Sequence, residues 1–471
     1  MEAFVMELLY DRKNAWEKHD KSHVSQANKF CDEYIKFLNG AKTEREFTKR
    51  VVEVARERGF VSYEDVLKND TPLVKGVKVY RVIKNKAVIL CAIGEESLTE
   101  GINIIGSHID APRLDLKQNP LYEDTELGML DTHYYGGIKK YQWTTIPLSL
   151  HGVVVKKDGT SVDICIGEND KDPVFTITDL LPHLAQDQMQ KKMSEGVTGE
   201  DLNVLCGSIP CIGKDAPKKD KVKTNIMKLI NKKYGFKEED FISAEIEVVP
   251  SFKARSVGFD ESLVGSYGQD DRSCAYAALS AILDVLNPKK TCVCLLTDKE
   301  EIGSVGNTGA YATFFETFVE FLLKYVESSE KSLDVRRCLE NSRMLSADVN
   351  PGVDPNYTGV QENKNASYLG KGVVIQKYTG SRGKVGGSDA NAEYLGYIRK
   401  IFDDNNIIWQ SAELGKVDQG GGGTIAYMLA KYGIEVLDCG VAILSMHSPF
   451  EITSKIDMYE MYRASKVFFE N

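Results

Sequence analysis

The sequence predicts an α/β protein with a largely parallel sheet flanked by helices and a β-rich segment inserted into it. Continuous apolar runs, such as Ala87-Val-Ile-Leu-Cys-Ala-Ile and Thr291-Cys-Val-Cys-Leu-Leu, are typical of strands buried on both faces. These runs alternate with segments of helical apolar spacing, which favours a mainly parallel sheet. Between about 113 and 252 the pattern changes to short alternating strands separated by Gly, Asp and Pro.

The length of 471 residues is too great for one ordinary domain. We interpret residues 1–112 and 253–471 as the two parts of a split α/β domain. Residues 113–252 are then a β-rich inserted domain. No internal repeat interrupts this organisation.

The individual elements follow from local patterns. Apolar residues at helical spacing predict helices within 22–58, ending near Gly40 in the first case. Strands are predicted within 78–106, at 291–296, from 344 and over 436–446. Further helices are predicted from 273, over 307–327, 389–404 and 424–432, and over 457–469. The lysine-rich stretch 214–237 is interpreted as a solvated surface segment.

Charge and cysteine usage exclude several classes of protein. The net charge of −10 argues against a nucleic-acid binder, which needs a basic face. The ten cysteines are scattered and form neither a disulfide framework nor a complete zinc knuckle, which favours a reducing compartment. An acidic second residue and no basic n-region argue against a signal peptide, and no apolar run reaches the ~20 residues of a membrane span. We therefore expect a cytoplasmic protein.

Polar clusters follow the predicted buried strands. His108-Ile-Asp110 follows the strand at 102–107, Glu300-Glu301 follows the strand at 291–296, and Asp348 and His447 follow two later strands, while Asp270-Asp271-Arg272 opens a helix. Ligand crevices of open α/β sheets lie at the carboxyl ends of strands. Two imidazoles and three carboxylates, with further acids beside them, form an N/O ligand set suited to zinc, cobalt or manganese.

The roles of these residues follow from two-metal chemistry. A bridging carboxylate and two ions would clamp the attacking water and the scissile carbonyl. One of Glu300 and Glu301 would ligate metal while the other moves the proton, and Asp110 would orient His108. Taken singly, each signal also fits a structural histidine, a solvated acidic pair or a helix cap. Their conjunction at several strand ends favours one site.

Three further signals keep more than one interpretation. The glycine-rich segment Gln419–Thr424 precedes a helix but lacks the P-loop ending, so a nucleotide site is disfavoured. A tight turn is favoured, or a close approach of backbone to a substrate carboxylate or the site wall. Asp389 is interpreted as a helix cap or as a contact for a substrate amine. His151 and His183 are interpreted as buried structural residues or as interface residues near a neighbour's site.

With these motifs in place, the chain resembles the M18 aminopeptidases, the group of aspartyl aminopeptidase and aminopeptidase I. The resemblance rests on motifs that span almost the whole chain: Ser107-His108-Ile-Asp110-Ala-Pro-Arg113, Gly268-Gln-Asp270-Asp271-Arg-Ser-Cys, Asp298-Lys-Glu300-Glu301-Ile-Gly-Ser304, Ser346-Ala-Asp348 and Ser445-Met-His447-Ser448. Tyr135-Gly-Gly and Leu181-Pro-His183-Leu resemble family segments of the insert.

The resemblance implies a zinc-exopeptidase α/β fold, two divalent metal ions, most simply Zn²⁺ with Mn²⁺ or Co²⁺ as alternatives, and removal of single residues from free peptide amino termini. It implies metal ligation by His108, Asp270 as the bridge, Glu301, Asp348 and His447. It implies Glu300 as the base that activates a water held between the metals, and Asp110 as the orienter of His108. It also implies a dimerisation role for the insert and a dodecameric homo-oligomer built from dimers.

Departures from the family pattern bear on specificity. Asn350-Pro-Gly-Val-Asp354 stands where aspartyl aminopeptidases carry histidines. The position of the family lysine that contacts acidic side chains aligns with Gln376 or Lys377. We interpret these changes as favouring a neutral or broader preference, with Lys377, Asp389 and His183 as candidate substrate contacts. Two alternative functions remain: a co-catalytic metal deacylase of N-acylated amino acids, and an inactive self-assembling scaffold.

Overall fold

The computed structural model describes residues 8–214 and 216–471. The interpretation of the amino terminus falls on positions 1–7, which lie outside the described residues. Within the described residues, no helix is both long and apolar enough to cross a membrane. All ten cysteines are free thiols, and eight of them are buried.

The strands, in chain order, are β1 (Val61–Ser62), β2 (Lys78–Ile83), β3 (Ala87–Ala92), β4 (Asn103–His108), β5 (Arg113–Asp124), β6 (Leu127–Tyr135), β7 (Leu148–Val155), β8 (Ser161–Ile166), β9 (Val204–Gly207), β10 (Ala244–Pro250), β11 (Arg255–Val257), β12 (Leu263–Ser266), β13 (Cys292–Thr297), β14 (Arg343–Ala347), β15 (Asn350–Pro351), β16 (Val373–Gln376), β17 (Trp409–Ser411), β18 (Glu435–Gly440), β19 (Ala442–Leu444) and β20 (Glu451–Ser454).

The α-helices, in chain order, are α1 (Ala15–Lys18), α2 (Lys21–Leu38), α3 (Glu44–Glu57), α4 (Tyr63–Asn69), α5 (Gln186–Gln190), α6 (Met193–Gly196), α7 (Lys221–Tyr234), α8 (Gln269–Asp284), α9 (Phe314–Glu327), α10 (Ser332–Glu340), α11 (Ala392–Asp404), α12 (Ala426–Ala430) and α13 (Lys455–Glu470).

The chain divides into two compact units. The larger unit contains residues 8–110, 254–446 and 451–471, and the smaller unit contains residues 111–253 and 447–450. The smaller unit is therefore an insert in the larger one along the chain. It carries a six-stranded sheet in the order β8-β7-β10-β5-β6-β9, in which every neighbouring pair is antiparallel.

The larger unit is built on a mixed nine-stranded sheet with the order β1-β2-β3-β13-β4-β14-β18-β16-β17. Its centre is parallel, because β4 pairs in parallel with β13 on one side and with β14 on the other, and β14 pairs in parallel with β18. Strand β3 runs antiparallel to β13. The parallel centre brings the carboxyl ends of four strands to one edge of the sheet.

Alternate residues of the central strands pack on opposite faces of this sheet, as the period of two in a strand requires. In β13, Cys292 and Cys294 lie in an apolar cluster with α3, α8 and α13, whereas Val293 and Leu295 lie in a second cluster with α4, α9 and α12. Every residue of β3, β4 and β13 is buried. Helices on both faces therefore explain the continuous apolar runs, and the predicted α/β class is confirmed.

The predictions for two elements beside the central sheet were wrong in detail. Helix α9 begins at Phe314, not at 307, because the preceding glycine-rich turn packs on itself: a Cβ on Gly309 would lie 2.1 Å from the Ser304 carbonyl oxygen. The predicted strand 436–446 is two strands in two sheets. It breaks at Gly440, where a Cβ would lie 1.9 Å from the Asp348 carbonyl oxygen.

The lysine-rich stretch predicted as a solvated segment contains helix α7 in the smaller unit. Its lysines are mostly exposed, but Val222 and Ile226 are buried, four residues apart on one helical face. Ile226 packs on Gly128 of β6, where a Cβ would meet its methyl group at 2.2 Å. Helix α7 therefore packs on the smaller unit through two apolar residues on one face. The high lysine content of the stretch led us to predict a solvated segment.

Candidate metal centre

Three polar segments meet where the central strands end. His108 is the last residue of β4, and it is in register with Thr297, the last residue of β13. Glu300 and Glu301 form a short 3-10 turn directly after β13, and Asp348 follows β14 on the other side. Adjacent parallel strands that end together place these side chains around one point.

His108 stands at the centre of this group and is 2 % exposed. Its Nε2 lies 3.2 Å from Asp270 Oδ1, and 3.8 Å from both Glu300 Oε2 and Asp348 Oδ1. Two groups of three ligand-capable side chains share this imidazole, with all donor atoms in each group within 4.8 Å of one another. These groups are His108 with Asp270 and Glu301, and His108 with Glu300 and Asp348.

Asp110 is fully buried and links both sides of the centre. Its Oδ1 lies 3.3 Å from His108 Nδ1, and the same oxygen accepts a hydrogen bond from the Glu300 amide at 3.2 Å. Its Oδ2 accepts from the Glu301 amide at 3.3 Å. One carboxylate therefore holds both the imidazole and the turn that carries the two glutamates.

The start of α8 presents Asp270 and Asp271 to the centre. Their backbone is non-helical, and the peptide bond between them is cis. The Asp271 carboxylate accepts a hydrogen bond from the Ser107 hydroxyl on β4. Arg272, also buried, donates from Nε to the Ile109 carbonyl at 3.0 Å. These contacts fix the helix start against the end of β4.

Glu451 is a supporting residue that the sequence analysis missed. It is 1 % exposed, and its Oε2 accepts hydrogen bonds from the amides of Gln269 at 2.6 Å and of Asp270 at 3.1 Å. Its contacts lie 181 and 182 positions away along the chain. The only indication of Glu451 in the sequence is that it lies four residues after the predicted ligand His447.

The electrostatics of the centre favour a bound cation. Burial raises the pKa of Asp348 well above its usual range, and the neighbouring Asp271 raises it further. Burial alone would lower the pKa of His108, but Asp110 and Asp270 raise it well above its ordinary value. Several buried carboxylates around one imidazole repel one another, and a divalent cation relieves that repulsion. The donor set and its charge therefore fit a metal ion of the zinc type.

His447 belongs to the smaller unit. Its Nδ1 lies 2.9 Å from the Gly137 carbonyl oxygen, and its φ of 63° places it in the left-handed region. Contact with a backbone carbonyl is typical of an imidazole whose other nitrogen serves as a ligand. Its assignment to the metal remains a prediction.

Asp389 and Lys377, two predicted substrate contacts, are paired with each other in the larger unit. Lys377 Nζ lies 3.3 Å from Asp389 Oδ1, and Lys384 Nζ lies 2.8 Å from Oδ2. Contact with Lys384, above all, lowers the pKa of Asp389. The alternative interpretation of Asp389 as a helix cap was wrong, because Asn391 occupies that position before α11.

His183 and His151, both in the insert, lie in different environments. His183, the third predicted substrate contact, is exposed on a loop of the smaller unit. His151 is 2 % exposed on β7, and its Nε2 lies 3.1 Å from Glu168 Oε1 and 3.1 Å from the Ser149 hydroxyl. The structural interpretation therefore holds for His151 in this chain, while His183 is free to meet another surface.

The glycine-rich segment 419–424 follows a turn at 416–419 and runs as irregular backbone close to a second loop. A Cβ on Gly421 would lie 2.2 Å from the Gly380 carbonyl oxygen, and the φ of Gly421 is +99°. Thr424 donates its hydroxyl to Asp438 at 2.6 Å. Close backbone approach explains why glycine stands here. The predicted tight turn is wrong for the glycines themselves, because the turn ends at Gln419.

Comparison with known proteins gives whole-chain matches. The family model described as aminopeptidase I zinc metalloprotease (M18) matches residues 37–469. A probable M18 family aminopeptidase 1 from Clostridium acetobutylicum is 53% identical over 465 residues, which cover 99% of this chain and 99% of that protein. The crystal structure of an M18-family aminopeptidase from Thermotoga maritima superposes with a TM-score of 0.93 at 46% identity, covering 98% of this chain and 100% of the other. A yeast mApe1 structure, described as a dodecamer, shares the fold at 21% identity with a TM-score of 0.73, covering 94% of this chain and 96% of the other.

Proposed function

The chain belongs to the M18 family of zinc metalloproteases and is a metal-dependent aminopeptidase, and from that premise we propose that two metal ions and Glu300 together hydrolyse the first peptide bond of peptides. The single observation that carries this proposal is the cluster around His108. There, the ends of three parallel strands and the start of α8 supply an imidazole and four carboxylates, with Asp110 behind them.

We assign the metal ions to the two groups of side chains that share His108. In this proposal Asp270 bridges the ions, and Glu301 and Asp348 complete the carboxylate ligands, with His447 as the second imidazole. When bound, the ions would lower the pKa of water and polarise the scissile carbonyl.

Glu300 is the proposed proton carrier. Its backbone amide is fixed by Asp110, and its carboxylate is partly exposed, at 16 %, whereas the carboxylates of Asp110 and Asp270 are almost fully buried. A carboxylate at the open side of a metal group is positioned to accept a proton from water and to return it to the leaving amine. Glu301, next in the turn, belongs to the group that contains His108 and Asp270, which suits it to ligation.

Recognition of the free amino terminus is the remaining part of the reaction. Asp389 stays our candidate for the substrate amine, and it would exchange one of its two lysine partners for that amine on binding. Lys377, once released, would be available to an acidic side chain of the substrate. We therefore propose that every substrate amine displaces a lysine from Asp389 and that only an acidic first residue then engages the released Lys377.

We also propose that the protein is a homo-oligomer whose contacts involve the insert. The loop around α5 and α6 exposes five large apolar side chains, between 50% and 73% of their surface: Leu180, Leu181, Leu184, Met189 and Met193. A concentration of apolar side chains of this kind marks a protein interface. His183 lies among them, which suits it to contact a neighbouring subunit. The dodecamer described for yeast mApe1 is the assembly we propose to test.

The decisive experiment is a substrate panel. The enzyme is treated with chelator, reloaded with Zn²⁺, Mn²⁺ or Co²⁺, and given peptides that differ in their first residue, each with a free or an acetylated amino terminus. Metal-dependent release of only the first residue, and only from free-amine peptides, is the expected result. Hydrolysis of the acetyl amide instead would establish a deacylase, and no turnover with any metal would favour a scaffold.

A further inference from the structure

A fully exposed phenylalanine lies at the tip of a hairpin in the larger unit. Strands β11 and β12 pair antiparallel, and their last pair, Val257 with Leu263, leaves the turn 258–262 between them. Phe259 in this turn has a relative exposure of 113%, so its ring is almost entirely in water. Covering such a ring is favourable, because it removes roughly 150–250 Å² of surface from water.

The turn holds Phe259 in a fixed position. The Glu261 amide donates to the Gly258 carbonyl at 3.2 Å. Asp260 Oδ1 accepts from the Ser262 amide at 3.2 Å and from the Ser262 hydroxyl at 2.9 Å. Strand β12 also pairs with β20, which anchors the hairpin in a five-stranded sheet. An ordered turn loses little conformational entropy when its tip is bound, which suits Phe259 to the role of an anchor.

A cavity lined by aromatic side chains lies beside the edge strand β17 of the same unit. Its volume is about 430 Å³, and a cavity of roughly 150 Å³ already accepts a benzene ring. The rings of Tyr10 and Trp409 stack in its wall, with centroids 6.0 Å apart. We call it the aromatic cavity, and its apolar lining residues are Tyr10, Ile375, Tyr378, Leu395, Trp409 and Ala412. It therefore has the size and the lining to take an aromatic side chain.

Cations outnumber acids among the charged residues of the aromatic cavity, which are Lys377, Arg399 and Glu413. Lys377 is already paired with Asp389. The Arg399 guanidinium lies 5.4 Å from the centre of the Trp409 ring, and in residues 8–214 and 216–471 it forms no ion pair. A cation without an acidic partner beside an aromatic wall favours a ligand that is both aromatic and acidic.

The tip of the hairpin has both of these properties. Phe259 is followed directly by Asp260 and Glu261, and both acids are exposed. Neighbouring Cα atoms are only about 3.8 Å apart, so an acid enters any site that Phe259 enters. The fully exposed Phe259 cannot at the same time fill the cavity of its own chain. The matching surface therefore belongs to another molecule.

We propose that Phe259 of one subunit enters the aromatic cavity of a second copy of this chain, with Glu261 facing Arg399. This inference rests on the proposed homo-oligomer and adds a second contact to it. The contact joins two different surfaces, so it is heterologous and generates a ring where the rotation closes. Together with a two-fold contact through the insert, such rings build a closed assembly larger than a dimer.

Ring closure explains how so small a contact is sufficient. Each subunit makes the contact twice, once through its own Phe259 and once through its own cavity. A subunit that is held at several points rebinds as an intramolecular event, which raises the effective concentration of each contact. Aromatic anchors that fill pockets also contribute most of the binding energy in protein interfaces.

The first test measures the mass of full-length variants by light scattering after gel filtration. Phe259→Asp should reduce the wild-type assembly to a dimer without changing the circular dichroism spectrum, because the side chain is fully exposed. Leu286→Asp, at an apolar position that is 79% exposed, is the matched control and should keep the wild-type mass. An assembly of wild-type mass in Phe259→Asp would refute the proposal.

The wild-type mass separates this inference from the proposal on which it rests. A wild type that is a dimer would exclude the contact of Phe259 and leave the contact through the insert standing. A monomeric wild type would exclude the homo-oligomer as a whole.

A second test exchanges the two charges. Arg399→Glu should give the dimer, and Arg399→Glu combined with Glu261→Arg should restore the larger assembly, because attraction returns only where the two positions face each other. A double variant that remains a dimer would contradict that pairing. A photoreactive p-benzoylphenylalanine in place of Phe259 should crosslink to a peptide from residues 395–413 of a second chain. Crosslinks confined to other surfaces would overturn the proposal.

Discussion

At the scale of single residues, the neighbouring glutamates Glu300 and Glu301 lie in different groups of candidate ligands. Glu300 groups with His108 and the partly exposed Asp348, whereas Glu301 groups with His108 and the buried Asp270. Asp110 couples the two glutamates to the imidazole through backbone amides, so their relative placement is fixed by one side chain. Substitutions at neighbouring glutamates should therefore have different effects.

We expect Glu300→Gln to keep its metal and its fold and to lose turnover. The amide side chain has nearly the same shape but cannot accept the proton, and general-base catalysis typically contributes about 10²–10⁴-fold. Steady-state kinetics together with elemental analysis measure both properties. Glu320→Gln, on the exposed side of α9, is the control and should change neither. Full activity in Glu300→Gln would exclude the proposed base.

Asp438 gives a prediction about pH. It is buried on β18, and burial raises its pKa to about 6, above the ~3.9 of an unfolded aspartate. Between these values the folded chain holds a proton that the unfolded chain has lost, so the free energy of unfolding falls as pH rises from about 4 to about 6 and is then constant. Asp438→Asn should remove this fall, which is on the order of 3 kcal/mol.

Urea unfolding of wild type and Asp438→Asn between pH 4 and 7 measures that difference. The amide oxygen of asparagine can still accept the Thr424 hydroxyl, so the variant should fold. Asp404→Asn, at an exposed helix end, serves as the control and should keep the wild-type slope. Parallel curves for Asp438→Asn and the wild type would contradict the raised pKa.

At the scale of secondary-structure elements, helix α3 illustrates how local sequence fixes a boundary. Thr43 accepts a hydrogen bond from the Glu46 amide at 3.2 Å, and the Glu46 carboxylate accepts from the Thr43 amide at 3.3 Å. This reciprocal capping box satisfies two amides that the helix start would leave without partners. The helix then buries Phe47 and Val51 against the central sheet.

Thr43→Ala should lower the free energy of unfolding by about 1 kcal/mol, because it removes the side-chain half of the capping box. The change is measured as a shift in the urea midpoint at unchanged slope. Thr43→Ser keeps the hydroxyl and should lie close to the wild type. If the alanine and serine variants unfolded at the same urea concentration, the cap would contribute nothing measurable.

Elements also show what the sequence could and could not predict. The continuous apolar runs that end at His108 and before Asp348 predicted both strands and their chemistry, because burial on two faces leaves a strong local pattern. Glu451 and the break at Gly440 were not predictable, since both depend on partners far along the chain. Helix α7 was not predicted because only two of its residues, Val222 and Ile226, are buried, so the apolar periodicity is weak.

At the scale of the whole molecule, bound metal should contribute to stability as well as to catalysis. Chelator treatment should abolish turnover and lower the melting temperature, because the carboxylates around His108 lose the cation that offsets their repulsion. At a free metal concentration of 100 times its Kd, each ion contributes about 2.7 kcal/mol to the free energy of unfolding. Scanning calorimetry with matched activity assays tests this expectation.

Zn²⁺ should restore both properties in the chelated enzyme. Ca²⁺ is the control, because it prefers an all-oxygen shell and suits imidazole ligands poorly. Equal recovery with Ca²⁺ would indicate a nonspecific charge effect. A melting temperature that chelator leaves unchanged would place the metal outside the folded centre.

The separation of the ligands along the chain has a consequence for biosynthesis. His108 and Asp270 lie 162 positions apart, and the insert lies between them, with β10 pairing back onto β5. A ribosome adds about 5–20 residues per second, so the roughly 240 residues from His108 to Asp348 take about 12–48 seconds to emerge. During that interval the insert can form its six-stranded sheet before Asp348, a proposed partner of His108, has been synthesised. We therefore expect the proposed metal ions to bind late in the maturation of the nascent chain.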